Sequence, residues 1–396
     1  MFFSFYLSLS FSGKGELTTY WLSIPHPKKP RNPSLASSST ISSGTDSSYR
    51  EESKEIIPRN DDNYEAPTLT EGQVRLVDWM TNELADLLKD IERRRISVSA
   101  DKNKGIIAKL EQQSVEMART PLDEVQEIIV LPKFDASSSN LYSMDLPEEN
   151  IILPEAVISE LHDFVYRLAE MYQNNPFHNF EHASHVTMSV VKLLSRIVAP
   201  NMHFVGEDAA SVLHDQTYGI TSDPLTQFTV VLSALIHDVD HPGVPNTQLS
   251  KEKTLLSAKY KNKSTAEQNS VDKTWVLLME GNYENLRRTI YRTEAEFKRF
   301  RQLLVNTVMA TDIMDKELGA RRRARWNKAF SEKVEEDATT AVNRKATIVI
   351  EHIIQASDIA HTMQHWHIYR KWNCRLFAEM YKVSVFLAFW DFAGYF

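Results

Sequence analysis

With one cysteine, Cys374, among 396 residues, the chain can close no disulfide of its own and has no thiolate cluster for a Cys-based zinc site. Any metal must be held by His and carboxylate side chains, and the lone thiol suits a reducing, intracellular compartment. Cationic excess is absent too: 45 Lys and Arg against 53 Asp and Glu give a formal net charge of −8. Without a long basic stripe, nucleic acid is excluded as a general partner. No apolar run reaches the roughly 20 residues that a membrane-spanning helix needs. Val383 to Phe396 falls short and is interrupted by Asp391, and Met1 to Phe11 lacks the basic start and small-residue cleavage site of a secretory signal. Alternating strand patterns and internal repeats are also missing, so the folded part is expected to be all-α.

What is present divides the chain. Its length exceeds one typical domain, which implies a sizeable core with appended segments. Residues 23–70 are rich in Ser, Pro, Asn and charge, and cannot bury enough apolar surface to fold. They read as a disordered linker. Order returns at Glu71, where Val74, Leu76, Val77, Met80, Leu84, Leu87, Leu88 and Ile91 recur at helical spacing. Segment 71–118 is expected to be a helical linker, its first helix a plain packing element or a homodimer contact over 71–95. A helix starting near Pro154 carries Ile158, Leu161, Val165, Leu168 and Tyr172, and Asn174-Asn175-Pro176 ends it. Asp223-Pro224 opens another, which runs to His237-Asp238 and is expected to stop at Pro242-Gly243. Segments 270–315 and 339–382 are again helix-patterned.

Three clusters carry chemistry. In Asn175-Pro-Phe-His178-Asn179-Phe-Glu-His182, the two histidines stand four apart and share a face if helical. In His237-Asp238-Val-Asp240-His241, four of five residues are ionisable inside apolar surroundings. Buried unpaired charges are very costly, and a divalent cation satisfies several at once, where the plain alternative needs a structural partner for each. The third, Asp358-Ile-Ala-His361, follows the apolar run Ile348-Val-Ile-Glu-His-Ile-Ile, so it is expected on a largely buried helix, with Asp358 as its best ligand candidate. Two imidazoles and two carboxylates form a mixed N/O site that leaves positions open for water, which favours catalysis over scaffolding. If Asp238 bridges two cations, a hydroxide is available to attack phosphorus in line. His178, on a turn, is the natural acid for the leaving oxygen, and a carboxylate such as Glu267 is expected to orient it. The other histidines, His185, His203, His214, His352, His365 and His367, read as structural.

Together these motifs resemble the class I 3',5'-cyclic-nucleotide phosphodiesterases, an all-helical family of His-Asp metallohydrolases, over roughly Pro121 to Tyr381. The resemblance implies His178 as general acid, and His182, His237, Asp238 and Asp358 as ligands of the tighter of two divalent cations, usually Zn2+. Asp238 would be shared with Mg2+ or Mn2+. It places Asn179, His241, Thr311, Asp312 and Glu267 around the metals or the substrate. It also implies a small-molecule cyclic nucleotide as the partner and a cytoplasmic enzyme, membrane-associated where the full-length chain is a receptor fusion.

The sequence departs from the family at His361, where the purine pocket often carries asparagine, and after about Tyr381, where no base-binding segment can be matched. The domain is therefore expected over 119–396, truncated or divergent beyond 381. Gly13-Lys-Gly-Glu-Leu-Thr-Thr-Tyr20-Trp21-Leu22 resembles the closing strand of class III nucleotide cyclase domains, which makes 1–22 a cyclase remnant and suggests that both chain ends are gene-model artefacts. Two readings stay open beside the main one. They are a His-Asp phosphohydrolase acting on non-cyclic nucleotides, and a non-catalytic metal-binding regulatory module.

Overall fold

Thr70 shows how the pattern becomes structure: its Oγ1 accepts from Gln73 N at 3.3 Å, while Gln73 Oε1 accepts from Thr70 N at 2.9 Å. This reciprocal box satisfies two donors that a helix start leaves open. The helix it opens, α1 (Glu71–Arg94), puts Val77, Met80, Leu84, Leu88 and Ile91 on one buried side.

The computed structural model describes residues 69–95, 104–116, 119–133, 151–197, 209–330 and 335–393. The expected cyclase remnant at 1–22, linker residues 23–68 and His203 lie outside the described residues. After α1 come α2 (Lys104–Glu116), α3 (Pro121–Glu124), α4 (Glu155–Glu170), α5 (Phe180–Leu194), α6 (Ala209–Gln216) and α7 (Pro224–Ile236). Then follow α8 (Asn246–Lys251), α9 (Leu255–Lys259), α10 (Thr265–Leu278), α11 (Glu284–Ile290) and α12 (Glu294–Met309). The last three are α13 (Lys316–Phe330), α14 (Ala338–Asp358) and α15 (Trp366–Ala393). The fold is all-α, with no strand among the described residues.

The core forms around α7, of which every residue except Gln227 is buried. A helix apolar on all sides can only be stable when neighbours cover all of it, and α1, α5 and α12 do so, with α14 closing on α5. Pro224 takes the first helical position, where its missing N–H costs nothing. Asp223 caps through side chains instead of the backbone: it accepts from Thr226 Oγ1 at 2.7 Å and pairs with Arg94 and Arg299. The helix ends at Ile236, before Pro242, because the chain turns at once and Asp240 adopts a left-handed φ of 58°.

The first helix is not a tether. It lies against α4 and α7, and its apolar stripe belongs to the same core as theirs. Arg95, just beyond it, donates to the Ile290 carbonyl at 2.7 Å and to Glu296 at 3.1 Å. The apolar stripe of this helix is thus packed largely within one chain, with Leu76, Trp79 and Leu87 only partly buried. No described helix is long and apolar enough to cross a membrane.

Leu84, 1% exposed, tests this placement. Leu84→Ala is expected to cost about 2–5 kcal/mol, seen as a lower urea midpoint with an unchanged elution volume on gel filtration. An unchanged midpoint would mean that α1 is a tether after all.

Candidate active site

Local caps deliver the first cluster. Met171 caps α4, the chain turns through Asn174–Pro176, and Asn179 starts α5 by accepting from His182 N at 3.0 Å through Oδ1. His182 therefore sits in the first turn of α5 and points inward, 2% exposed. His237 and Asp238 follow the last turn of α7, and Asp358 is the last residue of α14.

These ends meet at one point. His182 Nε2 lies 3.1 Å from Asp358 Oδ1 and 3.6 Å from Asp238 Oδ2. His237 Nε2 lies 3.2 Å from Asp238 Oδ2 and 3.6 Å from Asp358 Oδ1. His237 Nδ1 donates to the Ala234 carbonyl at 2.9 Å, which fixes the ring and aims Nε2 at the centre. His237 Nε2 and Asp238 Oδ2 are buried without a properly directed hydrogen bond. Unsatisfied buried polar atoms are expensive, and a cation at their common focus would satisfy both. His182, His237 and Asp358 together have the spacing of a metal-holding group, and the hard and borderline donors present suit Zn2+, Mg2+ or Mn2+.

The electrostatics agree. Burial opposes charge on Asp238, yet His237 and His178 hold its carboxyl well below the usual range. Burial likewise opposes charge on His237, but Asp238 and then Asp358 raise its pKa well above an ordinary imidazole. Without a cation the site neutralises itself with protons, so metal binding must release them.

His178 stands beside this centre. Glu379, from α15, accepts from Phe177 N at 2.8 Å and from His178 N at 3.1 Å through Oε2, and its Oε1 pairs with His178 Nδ1. Burial alone would lower the His178 pKa, but the Asp238 and Glu379 carboxylates raise it above the ordinary value. The His241 ring stacks on it at 4.1 Å. Its Nδ1 accepts from Gly243 N at 3.1 Å, and burial together with His178 pushes its pKa down to about 4, so this imidazole is neutral. His178, His241 and Glu379 also gather at metal-holding distances, but Glu379 already engages His178 Nδ1, and His241 Nδ1 accepts from Gly243 N.

Asn175 clamps the two sequence clusters, its Nδ2 donating to the carbonyls of His178 (2.9 Å) and His241 (2.7 Å). Gly243 is required opposite it: at φ 72°, an added Cβ would stand 2.7 Å from Asn175 Oδ1.

Glu267 is a correction. Its Oε2 accepts from Asn246 Nδ2 at 2.8 Å, and the same amide reaches Asp312 at 3.4 Å. It does not orient His178; burial and the Asp312 charge push its pKa up to about 8. The orienting carboxylate, Glu379, escaped sequence reasoning because it lies 201 residues from His178 with no local motif. Asp312 Oδ1 caps the Met314 and Asp315 amides, and Thr311 Oγ1 donates to Val308 O, so Thr311 faces its own helix end. His361 lies 5.3 Å from the Phe177 ring with Nδ1 buried. Trp372, also missed, closes the wall at 5.8 Å from Phe177 and 6.0 Å from His182.

Comparison with known proteins falls on the same residues. The family model described as 3'5'-cyclic nucleotide phosphodiesterase matches residues 177–384, more than half of the chain. The 3',5'-cyclic-nucleotide phosphodiesterase regA of Dictyostelium discoideum is 26% identical over 242 residues, covering 60% of this chain and 27% of the relative. The cGMP-specific 3',5'-cGMP phosphodiesterase 3 of the same organism is 23% identical over 226 residues, 57% of this chain and 42% of the relative. This chain thus spans less than half the length of these curated relatives. Among solved structures, the phosphodiesterase domain of the RhoPDE fusion protein from Salpingoeca rosetta aligns with a TM-score of 0.45 at 20% identity, over 65% of this chain and 80% of that one.

In metal-stripped protein, Glu379→Gln is expected to lower the His178 titration midpoint, because it removes one of the carboxylates that raise it. Imidazole NMR signals followed against pH measure this. A midpoint equal to that of the unsubstituted chain would rule out the pairing.

Proposed function

The chain belongs to the 3'5'-cyclic nucleotide phosphodiesterase family, and from that premise we propose that it hydrolyses 3',5'-cyclic nucleotides to 5'-nucleoside monophosphates. The observation that carries this reading is the pair of unsatisfied atoms, His237 Nε2 and Asp238 Oδ2, lying beside a histidine whose pKa is raised. A cation site and a proton donor adjoin.

In this reading His182, His237, Asp238 and Asp358 hold Zn2+, and Asp238 is shared with Mg2+ or Mn2+. When bound, such ions polarise a phosphoryl oxygen and lower the pKa of water. The chain's own groups do the rest. His178 has Nδ1 engaged by Glu379, which leaves Nε2 to carry the proton. As water adds to phosphorus and the P–O3' bond breaks, His178 Nε2 delivers its proton to the departing O3'. Glu379 fixes the ring in the required orientation and stabilises its charged form, as a second carboxylate does for a catalytic imidazole. His241, neutral and stacked on His178, keeps that face of the ring from water without competing for the proton. Glu267 and Asp312 share Asn246, and Glu267, its pKa pushed up to about 8, keeps its proton at neutral pH and so avoids repulsion from Asp312 and Asp238. Phe177 and Trp372 supply the apolar wall, and His361 lines the cavity beside it. A substrate and metals of this kind fit a cytoplasmic setting.

The decisive assay is purified chain with Zn2+ and Mg2+ against cyclic AMP and cyclic GMP; failure to convert either sinks the reading. His178→Ala is expected to slow turnover roughly 100-fold or more while elemental analysis finds the metal retained. Asp238→Ala should lose the metal, and full occupancy in that variant would remove Asp238 from the ligand set.

A further inference from the structure

A groove of about 740 Å3 lies between α10, the end of α2 and the end of α4, and shares no lining residue with the His/Asp centre. This is the size of a small-molecule site, roughly 300–1,000 Å3. Its charge runs against that of the chain. The whole molecule carries −8, whereas five cationic and three acidic side chains line the groove.

All three acids are already neutralised. Glu124 pairs with Arg301 at 2.6 Å, Asp272 with Lys259 at 2.9 Å, and Glu280 with Arg167 at 3.0 Å. Two cations remain. Arg119 is exposed at the rim, and Lys273 has its partner, Asp240, outside the lining. In the wall, Arg301 lies over Trp275 at 4.4 Å, and its Nη1 is buried with no hydrogen-bond partner among the described residues. A lining with more cations than acids, an unsatisfied guanidinium nitrogen and a half-open groove of small-molecule size together favour an anion.

The geometry points to a second binding site, distinct from the metal centre, for a small phosphate-bearing anion held between Arg119 and Lys273 with Arg301 in its wall. The site reaches the reaction centre through one residue. Lys273 Nζ and Asn269 Nδ2, both lining the groove, hold Asp240 Oδ2 at 2.7 and 3.0 Å, and Gln173 holds Oδ1 at 2.8 Å. Asp240 stands between Asp238 and His241 in a left-handed conformation, φ 58°, which side-chain ties must maintain. An anion that draws Lys273 away from Asp240 removes one of these ties and loosens the turn that carries Asp238 and His241.

The test uses the metal-loaded chain and fructose 1,6-bisphosphate as probe, at constant ionic strength. Calorimetric titration is expected to find one site, weakened roughly tenfold or more by Arg119→Ala and by Lys273→Ala, the loss of one charged contact. Amide hydrogen exchange over 236–246 is expected to quicken when the probe binds. No binding at millimolar probe overturns the site, as does binding that survives both substitutions or disappears in His237→Ala. Unchanged exchange over 236–246 overturns the coupling. Arg119 is exposed, so its replacement leaves the fold intact, with an unchanged thermal midpoint as the control. Neither readout uses hydrolysis, so this proposal and the proposed reaction can fail separately.

Discussion

Two carboxylates and two imidazoles aimed at one buried point are the constraint around which the rest of the molecule is arranged. Left alone, such a set is tolerable only as a network of shared protons, and two of its atoms still lack a well-directed hydrogen bond. The four residues come from helix ends, His182 from the start of α5, His237 and Asp238 from the end of α7 and Asp358 from the end of α14. Side chains at ends can converge where those along a cylinder cannot. Two of the three helices also present their C-terminal ends, whose partial negative charge favours a cation. The apolar enclosure of α7 makes this possible, since a helix buried on nearly every side holds His237 and Asp238 rigidly.

A second layer couples His178 to that centre. Asn175 ties the carbonyls of His178 and His241 together, Gly243 leaves room for it, and Glu379 reaches over from α15 to hold both the His178 ring and its backbone. The Asp238 and Glu379 carboxylates raise the pKa of His178, while burial and then the His178 charge lower that of its stacked neighbour His241. Two imidazoles in contact cannot both be charged, and the one with a carboxylate on its far side keeps the proton.

Asp240 gives the site a second face. One side of its turn supports Asp238 and His241, while Lys273 and Asn269 hold the other from within a cationic groove. Strain at a left-handed residue persists only while its ties hold, so Lys273, Asn269 and Gln173 help to fix the turn that carries Asp238 and His241.

Much of this was legible in the sequence. Helical periodicity marked α1, α4, α7 and α14, and the close spacing of His178 with His182 and of His237 with Asp238 made the ligand set visible, because local geometry alone brings such neighbours together. Composition excluded cysteine ligands, and the apolar run before Asp358 placed that residue on a largely buried helix. Tertiary structure decided the rest. It gave the orienting role to Glu379 instead of Glu267, turned the α1 stripe into the core, brought up Trp372, and set Lys273 on Asp240. None of these pairings has a sequence signal, because each joins residues on separate helices whose approach depends on how α7 is covered. The chain's own residues determined which chemistry was available, and packing determined which carboxylate serves which histidine.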